Sequence, residues 1–260
     1  MPLSFKQKPG LVAYITCGDP DIGTSREVVL AAIRAGADVI ELGVPFSDPV
    51  ADGPVIQRAS QRALDVHTTL EQVLELARDV RKQSEAGMIV FSYLNPVLRF
   101  GLAKFCAAAQ DAGIDGALIT DLPVEEAGEY LRCMRKRDLA TVFLAAPTST
   151  DERLKRIAEE SRGFVYAVSR TGVTGTRQEV ADDASALAKR VRKFTKLPVA
   201  VGFGVSNAEQ FAEVGSFADA VVVGSAIVQV IEQNAATGRA AEAVAEFISK
   251  LRGGKATSAG

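Results

Sequence analysis

Gly36-Ala-Asp-Val-Ile-Glu-Leu-Gly-Val44 holds the end of one helix and the whole of one strand. The glycine supplies the left-handed turn with which helices commonly close. Val39–Val44 follows as an almost unbroken apolar run, where a strand with one wet face would alternate. The same junction recurs at Gly113-Ile-Asp-Gly-Ala117 and Gly215-Ser-Phe-Ala-Asp-Ala220. Working outward in both directions, seven further runs of this kind appear. They are Leu11–Thr16, Met88–Tyr93, Gly116–Asp121, Thr141–Ala146, Phe164–Ser169, Pro198–Gly202 and Ala220–Gly224.

Helix grammar fills the intervals. Thr24-Ser-Arg-Glu27, Thr68-Thr-Leu-Glu71 and Ser206-Asn-Ala-Glu209 fit the capping box, in which a hydroxyl and a glutamate satisfy free amides at a helix start. Leu70, Val73, Leu74, Ala77 and Val80 share one helical face, as do Val124, Ala127, Leu131 and Met134. Eight strands alternating with helices, without a long linker, predict one (β/α)₈ barrel domain over residues 1–260, the tail 253–260 being frayed. The alternative is an open doubly wound sheet. That fold usually places a glycine-rich dinucleotide turn after its first strand, and Gly18-Asp19-Pro20 is no such turn.

Apolar residues make up 47% of the 260, enough for a continuous core. Thirty basic and thirty-two acidic residues leave a net charge of −2, with no electrostatic footprint for nucleic acid or an anionic membrane. Cys17, Cys106 and Cys133 match neither a metal motif nor a disulfide framework. No apolar run approaches the roughly 20 residues of a membrane helix, and Met1–Gly10 lacks a signal-peptide stretch. A cytoplasmic setting is expected.

Barrel active sites lie at the C-terminal ends of the strands. There the inventory is narrow. The one histidine, His67, sits at a helix start, and no lysine ends a strand, so histidine bases, histidine metal clusters and Schiff-base chemistry have no candidate. What remains is carboxyl and phenol: Asp19, Glu41, Asp48, Asp52, Asp121, Tyr93 and Tyr166. Glu41 interrupts an apolar strand, where a charge is costly unless paired or put to use. A salt bridge inside the barrel is the plainer alternative. Partial burial would instead lift its pKa toward neutrality, as suits a group that gives and takes a proton. Asp48 and Asp52 lie in Ser47-Asp-Pro-Val-Ala-Asp-Gly-Pro54, either as pocket acids or as turn formers.

Gly202-Phe203-Gly204 ends the seventh strand, and Gly224-Ser225 ends the eighth and opens a helix. Barrels often hold a substrate phosphate there, on main-chain amides and a helix N-terminus. Gly172-Val-Thr-Gly175 would complete that cradle. The long junctions Phe46–Arg58 and Arg170–Asp183 are candidate lids. The residues thus describe a barrel enzyme acting on a small phosphate ester by carboxylate proton transfer, without a metal.

Ile40-Glu-Leu-Gly-Val-Pro-Phe-Ser-Asp-Pro-Val-Ala-Asp-Gly-Pro54 closely resembles the signature of the tryptophan synthase α family. Thr16-Cys-Gly-Asp-Pro20, Tyr93-Leu-Asn-Pro96, Asp121-Leu-Pro-Val-Glu-Glu126, Ser169-Arg-Thr-Gly-Val-Thr-Gly175, Gly202-Phe-Gly-Val205 and Gly224-Ser-Ala-Ile227 extend the likeness from about Leu11 to Leu251, in order. The resemblance implies retro-aldol cleavage of indole-3-glycerol phosphate to indole and glyceraldehyde 3-phosphate. It implies Glu41 as the acid/base at indole carbon 3 and glycerol hydroxyl, and Asp52 as the acid that holds the indole N–H. Tyr14 would line the indole pocket and Tyr166 lie near the catalytic glutamate; Gly175, Gly204, Gly224 and Ser225 would form the phosphate cradle, with Phe203 also binding substrate. Thr174 would order the sixth loop over substrate. A β subunit, itself carrying pyridoxal phosphate, would join in an α₂β₂ assembly, contacting Pro45, Asp48, Asn95 and Pro123. No cofactor is implied in this chain. Asp65-Val-His-Thr68 departs from the family, which often has small residues or glycine at that turn.

Three other readings stay open on sequence alone. One is a free-standing indole-3-glycerol phosphate lyase that needs no partner. Another is a catalytically silent activator subunit, against which the presence of both Glu41 and Asp52 speaks. The third, a phosphosugar isomerase, would want a base constellation that is absent here.

Overall fold

The computed structural model describes residues 3–168, 177–202 and 204–253. Within them, nine parallel strands form one sheet: β1 (Gly10–Thr16), β2 (Val39–Gly43), β3 (Gly87–Ser92), β4 (Gly116–Ile119), β5 (Ala140–Val142), β6 (Leu144–Ala145), β7 (Val165–Val168), β8 (Val199–Gly202) and β9 (Ala220–Val223). The count exceeds eight because the fifth expected strand breaks at Phe143. Its first half pairs with β4 and its second with β7. The ring closes through that one residue, whose carbonyl accepts from the Tyr166 amide at 3.2 Å. The sheet is therefore an eight-position (β/α)₈ barrel with a broken fifth stave.

Strand residues alternate between two buried surfaces. Leu11, Ala13, Ile15, Ile40 and Leu42 pack outward against the helices. Val12, Val39, Ile89, Leu118, Val142, Phe164, Ala200 and Val222 fill the barrel, with Leu3 packed among them. Both surfaces exclude water, which is why the strands read as continuous apolar runs.

The repeated junction is one hydrogen-bonded device used three times. The Asp38 amide donates to the Leu11 carbonyl, and the Leu11 amide donates back to the Asp38 carboxylate at 2.9 Å. Asp115 does the same with Met88, and Asp219 with Val199. An arginine closes each unit by bonding both the carboxylate and a junction carbonyl. Arg252 does so at Asp38 and Gly36, Arg81 at Asp115 and Gly113, and Arg192 at Asp219 and Phe217. For Asp219, burial pushes the pKa up, but the Val199 amide and Arg192 outweigh it and hold the carboxyl below its usual range. All three lie at the N-terminal face of the barrel, where such features serve stability. Gly36 and Gly113 do adopt positive φ (108° and 76°), whereas Gly215 is the last residue of its helix. Its missing side chain leaves room for Pro9 instead.

The helices α1 (Ile22–Arg34), α2 (Pro54–Asp65), α3 (Leu70–Arg81), α4 (Leu94–Phe100), α5 (Leu102–Asp111), α6 (Gly128–Lys136), α7 (Asp151–Glu160), α8 (Arg177–Val191), α9 (Ala208–Gly215), α10 (Ser225–Asn234) and α11 (Ala240–Leu251) complete the described fold. All three expected capping boxes need correction. Helix α1 starts earlier, on Asp21, whose carboxylate takes the Thr24 amide at 2.8 Å; aspartate is the stronger cap. Helix α3 is capped by Thr69 with Gln72, because the Thr68 amide is committed to the Ala63 carbonyl at the end of α2. Helix α9 is capped by Asn207, with Gln210 reaching back to the Ser206 amide. Leu70, Val73, Leu74, Ala77 and Val80 are buried as expected, but Val124 and Ala127 precede α6 instead of lying within it.

The largest difference is α2. The stretch expected to be loop as far as Arg58 turns helical at Pro54, which takes the first helical position where its missing N–H costs nothing. The loop after β2 therefore runs over 44–53. His67 takes φ of +59°, the left-handed region that favours glycine, at the turn where the family's small residues were expected.

Candidate active site

Glu41 lies in the third position of β2. Val39 faces the barrel interior and Ile40 and Leu42 face the helices, so the pleat turns Glu41 inward. It is fully buried, and neither carboxylate oxygen has a hydrogen-bond partner. Among the described residues no cation pairs with it, so the salt-bridge alternative finds no partner there. Burial alone pushes its pKa from 4.5 up to about 8. At neutral pH the group is a carboxylic acid with a proton to give.

Tyr14 stands beside Glu41 across the β1–β2 ladder. Its ring meets Phe91 edge-on at 5.0 Å, and its hydroxyl accepts from Thr16 Oγ1 at 3.3 Å. The hydroxyl lies over Gly43, where an added Cβ would sit 2.5 Å from it; Gly202 is closed off by the Tyr166 hydroxyl in the same way. These glycines are small because phenols cross above them. Burial, then the charges of nearby acids, holds both phenols well above their usual range; Glu41 and Asp52 act on both. The two carboxyls and two phenols thus lie near enough to act on one another electrostatically. Val55, Ile56 and Ala59 of α2 and Val228 of α10 pack with Tyr14 and Phe91 as an apolar cluster.

Asp52 ends the loop that leads into α2. Burial raises its pKa from 3.8 to about 6, against the lowering effect of a hydrogen bond from the Tyr93 hydroxyl at 3.1 Å. The same hydroxyl accepts from the Ala51 amide at 2.9 Å, and the Tyr93 ring packs on Phe46 at 5.1 Å. Gln57 Nε2 donates to the Asp52 carbonyl at 2.8 Å. The sequence placed Tyr93 only among the groups at the mouth. Its role as the clamp on Asp52 spans 41 residues, and no local pattern announces it. Replacing Tyr93 with phenylalanine removes the donor, so Asp52 should hold its proton to higher pH. A ¹³C-carboxylate titration showing no upward shift would contradict that clamp.

Gly224 follows β9, which pairs with β1 on the side away from β2, and precedes α10, where no side chain caps the helix. The amides of its first turn are free to receive an anion. Ser225 is exposed there, and Gly224 packs beside the Tyr14 Cβ. Gly204 is exposed with φ of +73°, and an added Cβ there would meet open space. Thr174, Gly175 and Phe203, with Gly172 and the rest of 170–176 in the expected second lid, lie outside the described residues.

Two expected mouth acids are otherwise engaged. Asp19, 1% exposed, is held by Arg62 Nε and Nη2 at 2.7 and 2.8 Å. Asp121 accepts the Leu94 amide at the start of α4. Of the expected partner-facing residues, Asp48 and Asn95 are exposed, Pro123 is half-buried and Pro45 is buried. Among the described residues, no group of three His, Cys, Asp or Glu side chains is placed to hold a metal ion.

A closed parallel barrel with a buried glutamate on its second strand, and a helix start without a side-chain cap two strands away, defines a (β/α)₈-barrel protein. The tryptophan synthase alpha chain family model matches residues 2–256. The tryptophan synthase alpha chain of Solibacter usitatus is 53% identical over 252 residues, covering 97% of this chain and 94% of its own. That of Geobacter sulfurreducens is 45% identical over 250 residues, covering 96% and 94%. Among solved structures, tryptophan synthase subunit alpha from Legionella pneumophila superposes with a TM-score of 0.87 at 37% identity, covering 95% of this chain and 92% of that one. A chain of the tryptophan synthase complex from Pyrococcus furiosus gives 0.86 at 37% identity, covering 95% and 99%. The chain belongs to the tryptophan synthase alpha chain family and is a lyase of tryptophan biosynthesis.

Proposed function

We propose that this chain, as one barrel domain, cleaves indole-3-glycerol phosphate to indole and glyceraldehyde 3-phosphate, with Glu41 and Asp52 as its acid–base pair. The observation that carries the reading is the buried, unpartnered Glu41 carboxyl. In its neutral form it donates to indole carbon 3. The carboxylate so formed takes the proton of the glycerol hydroxyl as the carbon–carbon bond breaks. The Asp52 carboxylate accepts from the indole N–H and stabilises positive charge growing on that nitrogen. Tyr14 and Tyr166 enclose the ring, while Gly204, Gly224 and the first turn of α10 at Ser225 hold the phosphate, with Thr174, Gly175 and Phe203 completing the enclosure. The chain itself carries no cofactor.

The two shifted carboxyls set a pH signature. Asp52 must be ionised and Glu41 protonated, so kcat/KM for indole release should rise through about 6 and fall through about 8. Asp52→Asn should lower kcat by about 10²-fold and abolish the acid limb. Indole release from indole-3-glycerol phosphate by the purified chain tests the assignment. Absent turnover, or a profile flat from pH 5 to 9, would refute it.

The rim outside Asp52 supports a docking role. Val50 in the loop and Leu98 on α4 are 86% and 55% exposed, large apolar groups facing water beside Asp48 and Asn95. Pro45 and Asn95 also line a groove of about 520 Å³. A β subunit carrying pyridoxal phosphate fits this surface, in an α₂β₂ assembly within the cytoplasm, with Pro123 at its margin. Because the same loop bears Asp52, the partner biases the catalytic arrangement. Added β subunit should therefore raise indole release, and equal rates with and without it would remove the coupling and favour a free-standing lyase.

A further inference from the structure

Four charges on three elements join the two ends of the site. Asp19 follows β1, Arg58 and Arg62 lie one turn apart on α2, and Glu232 lies two turns along α10 from Ser225. Arg62 gives Nε and Nη2 to the Asp19 carboxylate and Nη1 to Glu232 Oε1 at 2.7 Å. Arg58 grips the same glutamate with Nε at 2.9 Å and Nη2 at 2.8 Å. Its Nη1 also reaches the Pro54 carbonyl at 3.3 Å.

We propose that Arg62 is a positioning residue for the lyase reaction, clamping α2, and through it Asp52, to the helix whose opening turn receives the phosphate. The proposal rests on the reading of Asp52 and Ser225 given above. Asp19 is fully buried and needs a cation, and a planar guanidinium that satisfies both its oxygens has a fixed orientation. With one edge of the fork on Asp19, the remaining donor meets Glu232 only at one rotation of α2 about its axis. The other end of α2 holds the Asp52 backbone through Gln57. Slip of α2 against α10 therefore moves Asp52 relative to a substrate anchored by its phosphate. A lysine at 62 keeps the charge beside Asp19 but cannot serve three oxygens in one plane.

Glu232→Gln tests the link at its half-exposed member, where the fold has least at stake, and Arg62→Lys tests the fork. Each is made alone and combined with Asp52→Asn. Thermal unfolding, kcat and KM for indole-3-glycerol phosphate are measured, with the inhibition constant of glycerol 3-phosphate as a probe of the phosphate end alone. Glu232→Gln should leave unfolding and the glycerol 3-phosphate constant near wild type and lower kcat by about 10- to 100-fold, the cost of a small misplacement. Arg62→Lys should lower kcat at least as much. In the Asp52→Asn background neither should lower kcat further, because the effect acts through Asp52. Unchanged kcat in Glu232→Gln, or losses that multiply with Asp52→Asn, would overturn the proposal while leaving Asp52 catalytic. Full activity in Asp52→Asn by itself would remove the underlying reading, and the clamp with it.

Discussion

Glu41→Gln should stop turnover and at the same time make the protein harder to unfold. Loss of a positioned acid–base group lowers rate by about 10²–10⁴-fold, and here one group serves both proton transfers, so the upper end applies. The stability gain follows from linkage. The folded carboxyl titrates near 8 and the unfolded one near 4.5. Below about 4.5 both states are protonated, and the carboxyl costs nothing. Between 4.5 and 8 the unfolded chain releases a proton that the folded chain keeps, so stability falls by about 1.4 kcal/mol per pH unit. Above 8 the loss levels off. Glutamine keeps the shape without the titration, so the variant should gain on wild type steadily across that window. Urea unfolding at pH 5 and pH 8 measures it. Parallel curves for the two proteins would mean that Glu41 is not held as the neutral acid.

The second large effect lies at the other end of the barrel. Asp38 accepts the Lys6 amide at 3.0 Å, the Leu11 amide at 2.9 Å and Arg252 at 2.8 Å, while its side chain is 4% exposed. Asp38→Ala leaves the Lys6 and Leu11 amides without an acceptor and strips Arg252 of its only carboxylate in the described set. Breaking such a buried pair costs about 3–5 kcal/mol. For a chain of this size that lowers the unfolding temperature by roughly 10 °C. Because Arg252 follows α11 and Leu11 lies at the start of β1, one residue in, the loss unfastens the C-terminal helix from the first strand. The catalytic rim is at the opposite face, so kcat per folded molecule should hold. A melting temperature within a degree or two of wild type would show the unit to be ornamental.

How far these features were legible differs by their physical origin. The strands showed because burial on both faces leaves an unbroken apolar run, and Glu41 showed because it breaks one. The threefold junction showed because a helix-ending glycine and a strand-starting aspartate sit close together in the chain. The start of helix α2 was placed too late because its opening is dense in Asp, Pro and Gly, and because it buries only Ala59, Ser60 and Ala63. Three small residues make too faint a stripe for periodicity to find. The caps were misplaced because Thr24, Thr68 and Ser206 each sit near a side chain better committed to the role. Phe143 divides its strand through tertiary pairing, which no local window contains. Tyr93 on Asp52 and Arg62 on Asp19 join residues 41 and 43 apart. Such contacts exist only once the barrel has closed.

The uncapped start of α10 carries one more consequence. Among the described helices, α1, α3, α7 and α9 open on an Asp, Thr or Asn side chain that accepts a first-turn amide, whereas α10, like α2, α4, α5, α6 and α11, has no such cap. On the proposed reading, the phosphoryl oxygens of the ligand are the acceptors for the first amides of α10. Occupancy then finishes secondary structure that folding left open, so hydrogen exchange at the amides of Ser225 to Ile227 should slow when inorganic phosphate is added, before any carbon–carbon bond is at issue.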